Sequence, residues 1–313
     1  MSEQPNDPLD ALRAPIIPRV PDPVFAAQLR NRLERIVSAA AATPAPRRAP
    51  RAKEPPMGID MAARARNGHR HGDVSYITLE VPDLARAESF YGAVLGWRFS
   101  PGNADDGAQV DDVVPMVGLW AGAGTPANSQ PRAVLGFRVE DIAGAVAAVR
   151  THGGTMADPH PEPYGLAAEG HDNQGSALYL HQLAPVPEQS AARTGRSLNG
   201  QIEGDVSYLT MVVPDLEAAR AFYGGVFGWS FNIGRAGGAQ IGGVAPQMGM
   251  TTEPEAGPPT PGVILCYRVD DLVSALDRVR SAGGRAGPPA ERPYGLESLC
   301  ADDQGIAFYL HQF

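Results

Sequence analysis

The chain writes one passage twice. GDVSYITLEVPD at 72–83 returns as GDVSYLTMVVPD at 204–215, and the FYG at 90–92 and GW at 96–97 return at 222–224 and 228–229, all at an offset of 132. GAQ at 107–109 matches 238–240 at an offset of 131. FRVEDI at 137–142 then matches YRVDDL at 267–272, and QGSALYLHQL at 174–183 matches QGIAFYLHQF at 304–313, both at 130. So small a drift means two copies of one fold unit with short loop changes. The expected organisation is an N-terminal extension at 1–71, a first module at 72–183, a linker at 184–203 and a second module at 204–313.

Each copy divides again. VSYITLEV alternates and predicts a strand. PDLARAESFYGAVLG places Leu84, Ala87, Phe90, Tyr91 and Leu95 on one helical face, with Gly96 positioned to stop the helix. Short strands are expected around Arg98, Gln109 and Val113–Trp120. AVLGFRV restarts the pattern, EDIAGAVAAVRTHGG gives the second helix, and further strands end in SALYLHQL. A module is therefore strand–helix–three strands performed twice, an α+β architecture with four such units in the chain.

The extension reads differently. DPVFAAQLRNRLERIV predicts an amphipathic helix over about 22–40, capped by Asp22 and carrying Phe25, Leu29, Leu33 and Ile36 as one stripe that would dock on the body. A flexible basic linker is expected over 42–71, and His69 and His71 within it have no obvious third ligand. Residues 1–72 carry 12 Lys/Arg against 7 Asp/Glu, whereas 73–313 carry 14 against 28. So acidic a body would repel a phosphate backbone, which argues against nucleic acid as a partner. No apolar run reaches the length of a membrane span, so no membrane partner is expected. Two cysteines, Cys266 and Cys300, fit a reducing cytoplasm.

The motifs V-P-D-L…F-Y-G…G-W, F/Y-R-V-E/D-D and D-N/D-Q-G…Y-L-H-Q, in this order in both copies, resemble the vicinal oxygen chelate superfamily. That group holds glyoxalase I, bleomycin-resistance proteins and extradiol dioxygenases. The resemblance implies tandem modules, each a pair of βαβββ units curling into an open cup with helices outside. It also implies that the fused modules form an intrachain pseudo-dimer.

Alternation along the strands names the cup walls. In VSYITLEV the apolar row Ile77, Leu79 and Val81 should meet a helix, leaving Tyr76, Thr78 and Glu80 to face the cup. The same parity gives Val134, Gly136 and Arg138 from the fifth strand, and Tyr179 and His181 from the last. In the second module the set includes Tyr208, Arg268, Tyr309 and His311. Trp120 adds a stacking wall to the first cup, where the second has Thr251. Metal-dependent members of the superfamily carry His and carboxylate ligands at positions that the resemblance places on Tyr76, Val134 and Tyr179, and on Tyr208, Ile264 and Tyr309. The fourth strands, VVPMVGLW and VAPQMGM, hold no Asp, Glu, His or Cys.

The expectation is a pair of cups without metal or other cofactor, binding a planar aromatic small molecule. Such a protein sequesters or carries a metabolite or antibiotic. Tyr76, Tyr179 and His181 are the only alternative metal set, by phenolate and imidazole. A lyase, isomerase or dioxygenase-like enzyme is the alternative function, with Glu80 and His181 as a candidate acid–base pair. A scaffold joined to a complex through the tail helix is the third reading.

Overall fold

The computed structural model describes residues 69–104, 106–122, 130–184, 198–234, 238–252 and 262–313. The helix expected at about 22–40 and the linker residues 42–68 lie outside the described residues, as does most of the linker between the modules. Residues 69–71 pack on the body. His69 is half-buried, and the His71 ring meets Phe227 edge to face.

The first module runs β1 (Val74–Glu80), α1 (Leu84–Leu95), β2 (Phe99–Pro101), β3 (Gly107–Val110), β4 (Met116–Trp120), β5 (Arg132–Arg138), α2 (Ile142–Thr151), β6 (Thr155–Met156), β7 (His160–Glu162), β8 (Gly165–His171) and β9 (Ala177–Leu183). The second repeats it: β10 (Val206–Val212), α3 (Leu216–Phe227), β11 (Ser230–Ile233), β12 (Gly238–Gly242), β13 (Met248–Thr251), β14 (Gly262–Arg268), α4 (Leu272–Ser281), β15 (Arg285–Ala286), β16 (Ala290–Arg292), β17 (Gly295–Ala301) and β18 (Ala307–Gln312). In the second half of each module four strands follow the helix rather than the expected three. The PYG turn closes a small hairpin, pairing Glu162 with Gly165 and Arg292 with Gly295, and so adds β7 and β16.

Each module forms one mixed sheet in the order β2-β3-β4-β1-β5-β9-β8-β6, repeated as β11-β12-β13-β10-β14-β18-β17-β15. Strands β1 and β5 run antiparallel at the centre, and each has a parallel outer neighbour, β4 and β9. The helices start where the sequence places them. The Asp83 carboxylate accepts the Arg86 N–H at 3.0 Å, and Asp141, Asp215 and Asp271 cap the other three. Gly96 and Gly228 end α1 and α3 with φ of 69°, a left-handed turn that glycine takes without strain.

The apolar faces of the helices are shared with the other module. Tyr91 of α1 stacks on Trp97 and packs against Tyr267 and Phe308 of the second module. Reciprocally, Tyr223 and Phe227 of α3, with Trp229, surround Phe137 of the first. Hydrogen bonds follow the same exchange: Trp97 Nε1–H donates to the Gly204 carbonyl at 2.9 Å, and Trp229 Nε1–H to Gly72 at 3.2 Å. The Gln304 side-chain amide clasps the Asp83 backbone at both its N–H and its carbonyl, and Gln174 does the same to Asp215. The modules form one core by pseudo-twofold exchange, the intrachain pair that the repeat implies.

Candidate functional site

The concave face of the first sheet encloses a cavity of about 840 Å³. Its floor is made by β1, β5 and β9. Gly136 lies opposite Tyr76 across one strand boundary and opposite Tyr179 across the other. A Cβ at Gly136 would come within 3.2 Å of Tyr76 Cβ and 3.6 Å of the Tyr179 ring. The bare backbone therefore lets two phenol rings flank one strand.

Each ring is fixed by its hydroxyl. Tyr76 donates to Gln109 Oε1 at 3.1 Å, and the buried Gln109 amide is itself held by donating to Val117 O at 2.8 Å. Gly118 lies beside this hydroxyl, and a Cβ there would overlap it. Tyr179 and Tyr164 share a hydrogen bond between their hydroxyls. Burial pushes both Tyr76 and Tyr179 up to about 12, so both remain neutral phenols. Trp120, at the end of β4, adds an indole wall, with Met116 and Leu119 beside it. Glu80 also lines the cavity, its Oε2 paired with Arg132 Nε at 2.6 Å.

His181 lies at the base. A β-bulge between Val74 and Tyr76 breaks the alternation of β1, and Ser75 Oγ lies 2.7 Å from His181 Nε2. Burial first, then the nearby Arg138 and His69, pushes this imidazole down to about 3, so it is neutral near pH 7. The second module repeats the contact as Ser207 to His311 at 2.6 Å. There Ser207 Oγ also lies 3.1 Å from the Cys266 carbonyl, to which its hydroxyl can donate.

The second cup is smaller, about 580 Å³, and differently furnished. Tyr208 donates to Gln240 at 2.8 Å as Tyr76 does to Gln109. Glu80 and Arg132, however, are replaced by the facing pair Val212 and Gly262. Glu297 reaches in to accept from Arg292 Nε at 3.1 Å and from the Tyr294 hydroxyl at 2.7 Å. Cys266 takes the place of Gly136 between Tyr208 and Tyr309, and burial pushes its thiol up.

Of the expected wall residues, Tyr76, Thr78, Glu80, Trp120, Tyr179 and His181 line the first cavity, and Tyr208, Tyr309 and His311 line the second. Arg138 and Arg268 line neither. Arg138 closes β5 in register with His181 and beside His69, beyond the cavity floor. Arg268 lies 3.8 Å from Asp270 and over the Phe313 ring. Glu80 and His181 are not hydrogen-bonded to each other: one is held by Arg132, the other by Ser75. Glu162 and Glu169 line the first cavity and were absent from the parity reading. The strands that carry them, HPE and GLAAEGH, lack an alternating apolar row that would assign a face.

The positions that carry metal ligands in metal-dependent relatives hold phenols and aliphatic carbons. Among the described residues, no three His, Cys, Asp or Glu side chains converge as a metal-binding group. This donor set does not fit a divalent cation. The phenol–imidazole alternative is also poorly suited, since Tyr76, Tyr179 and His181 are each committed to neutral partners.

Comparison with known proteins agrees with the fold. Residues 76–175 match the family model described as Glyoxalase-like domain, and residues 205–310 match the Glyoxalase/Bleomycin resistance protein/Dioxygenase superfamily. "Putative glyoxylase CFP32" of Mycobacterium bovis is 24% identical over 272 residues, covering 78% of this chain and 95% of that protein; its Mycobacterium tuberculosis counterpart matches equally. A crystal structure of catechol 2,3-dioxygenase superposes with a TM-score of 0.56 at 13% identity, covering 78% of this chain and 88% of that one. The Mn(II)-bound glyoxalase from Novosphingobium aromaticivorans gives 0.55 at 15%, covering 78% and 83%. With both repeats matched and the fold shared, the chain belongs to the vicinal oxygen chelate superfamily as a two-module member.

Proposed function

We propose that the first cup binds a planar aromatic small molecule without a metal ion, and that the protein sequesters or carries this metabolite or antibiotic. One observation carries the reading: a cavity of about 840 Å³ is walled by Tyr76, Trp120, Tyr164 and Tyr179, with fixed hydroxyls among the rings. Flat apolar faces suit stacking, and neutral phenols supply hydrogen bonds of defined direction. Calorimetric titration with planar aromatic compounds tests it. Affinity is expected to fall at least tenfold in Trp120→Ala. Near-stoichiometric manganese, iron, zinc or nickel in the purified protein would overturn the reading.

The alternative is a lyase, isomerase or dioxygenase-like reaction in the same cup, favoured by the names of the similar proteins. Glu80 is its candidate, being a largely buried carboxylate on the cavity wall. Turnover abolished by Glu80→Gln would establish this alternative.

A further inference from the structure

We infer that the ligand of the first cup carries a positive charge, a protonated amine or a cationic heteroaromatic ring, and that Glu162 and Glu169 select it. This rests on the binding reading above and adds the ligand's charge class. The cavity wall holds three carboxylates, Glu80, Glu162 and Glu169, against one guanidinium, Arg132. Arg132 is engaged by Glu80 at 2.6 Å, which leaves the other two carboxylates as a surplus. His160 stands between them, its Nε2 3.4 Å from Glu162 and 3.5 Å from Glu169. Even protonated, it offsets only one of the two charges.

The charges act inside the cup as well as at its lip. Glu169 is the cross-strand partner of Tyr179, and Glu162 lies two residues before Tyr164. After burial, and against the lowering effect of the Tyr164 hydrogen bond, these two carboxylates and Tyr76 raise the Tyr179 phenol further. Aromatic faces present negative charge to a bound cation as well, so rings and carboxylates favour the same sign. An anion would meet both repulsions.

The second cup is the internal contrast. Repeat alignment places Arg292 where the first cup has Glu162, Leu299 where it has Glu169, and Ala290 where it has His160. The single carboxylate Glu297 there is matched by Arg292 at 3.1 Å, so that wall is close to neutral. One scaffold thus carries an acidic cup and a balanced one, which ties the surplus to the first cup and not to the fold.

The test uses three planar probes of one shape and different charge: aminoacridinium cation, neutral acridone and acridine carboxylate. Each is titrated against the full chain, Glu162→Gln/Glu169→Gln and Trp120→Ala at low salt. The cation is expected to bind at least about tenfold more tightly than acridone, and the carboxylate more weakly than either. In the double Gln variant the cation should fall to acridone's affinity while acridone binding stays unchanged. Acridone binding that is lost in Trp120→Ala, but with no preference for the cation, would overturn the charge inference and leave the aromatic cup standing. The same holds if the preference survives the double substitution. Failure of all three probes to bind would overturn both.

Discussion

The Tyr91 hydroxyl, carried by α1 of the first module, donates to the Asp302 carboxylate of the second across 3.0 Å. Both groups are buried, and Asp302 is further held by the backbone N–H groups of Gln304, Gly305 and Ile306. The mirrored bond joins Tyr223 to Asp172 at 2.9 Å. A carboxylate taken out of water needs every donor it has.

Tyr91→Phe should therefore destabilise the protein by about 1–3 kcal/mol, the cost of leaving a buried charged acceptor without one of its donors. Tyr223→Phe should cost a similar amount. Because the two bonds share no partner, the double variant should be near the sum. Urea denaturation of the four proteins checks both the size and the additivity.

Acid should loosen the fold through its buried histidines. Burial and the nearby Arg138 hold His181 at about 3 and His69 at about 4, whereas an unfolded imidazole titrates near 6.5. Below that value the unfolded chain takes up protons that the folded chain refuses, so stability falls as pH drops. Each histidine contributes at most about 1.4 kcal/mol per pH unit. Stability is expected to be flat just above pH 6.5 and to decline from there toward pH 4. A His181→Gln variant should show a shallower decline when melting is followed across this range.

Gly118→Ala should disturb the first cup. The added Cβ overlaps the Tyr76 hydroxyl and must drive the ring from Gln109. Overpacking of this kind costs about 1–3 kcal/mol. Adding Tyr76→Phe removes the clashing oxygen, so the double variant should regain part of the loss. Denaturation of the single and double variants gives that coupling directly.

Binding stoichiometry should be one planar aromatic ligand per chain. The second cup is smaller and is crossed by the Arg292–Glu297–Tyr294 contacts. Trp120→Ala is expected to remove the measurable site, whereas Thr251→Ala, at the equivalent place in the second cup, should leave affinity within about twofold. Titration to saturation at known protein concentration separates one site from two.

Much of this was legible in the sequence because strands and duplications carry strong signals. Alternation alone places Tyr76, Thr78 and Glu80 on one face, and the repeat transfers that assignment to Tyr208. The failures have local causes. Strict alternation says nothing of a bulge, and the one between Val74 and Tyr76 accompanies the Ser75–His181 contact, which no sequence pattern named. Arg138 shares a parity row with Val134 but lies past the end of the cavity, while Arg132, at the other end of that row, is the residue that reaches Glu80. Parity gives a face, not a position along the strand. The Tyr91–Asp302 bond spans 211 positions, and no local pattern points to it.

The exchange of aromatic faces also governs the chain's synthesis. When the first sheet leaves the ribosome, Phe90, Tyr91 and Trp97 are already placed, but the Tyr267 and Phe308 rings that cover them are still to be made. The nascent protein must keep an oily patch from foreign contacts while about two-fifths of its length is still being translated. A truncated product would keep that patch exposed and invite aggregation or proteolysis.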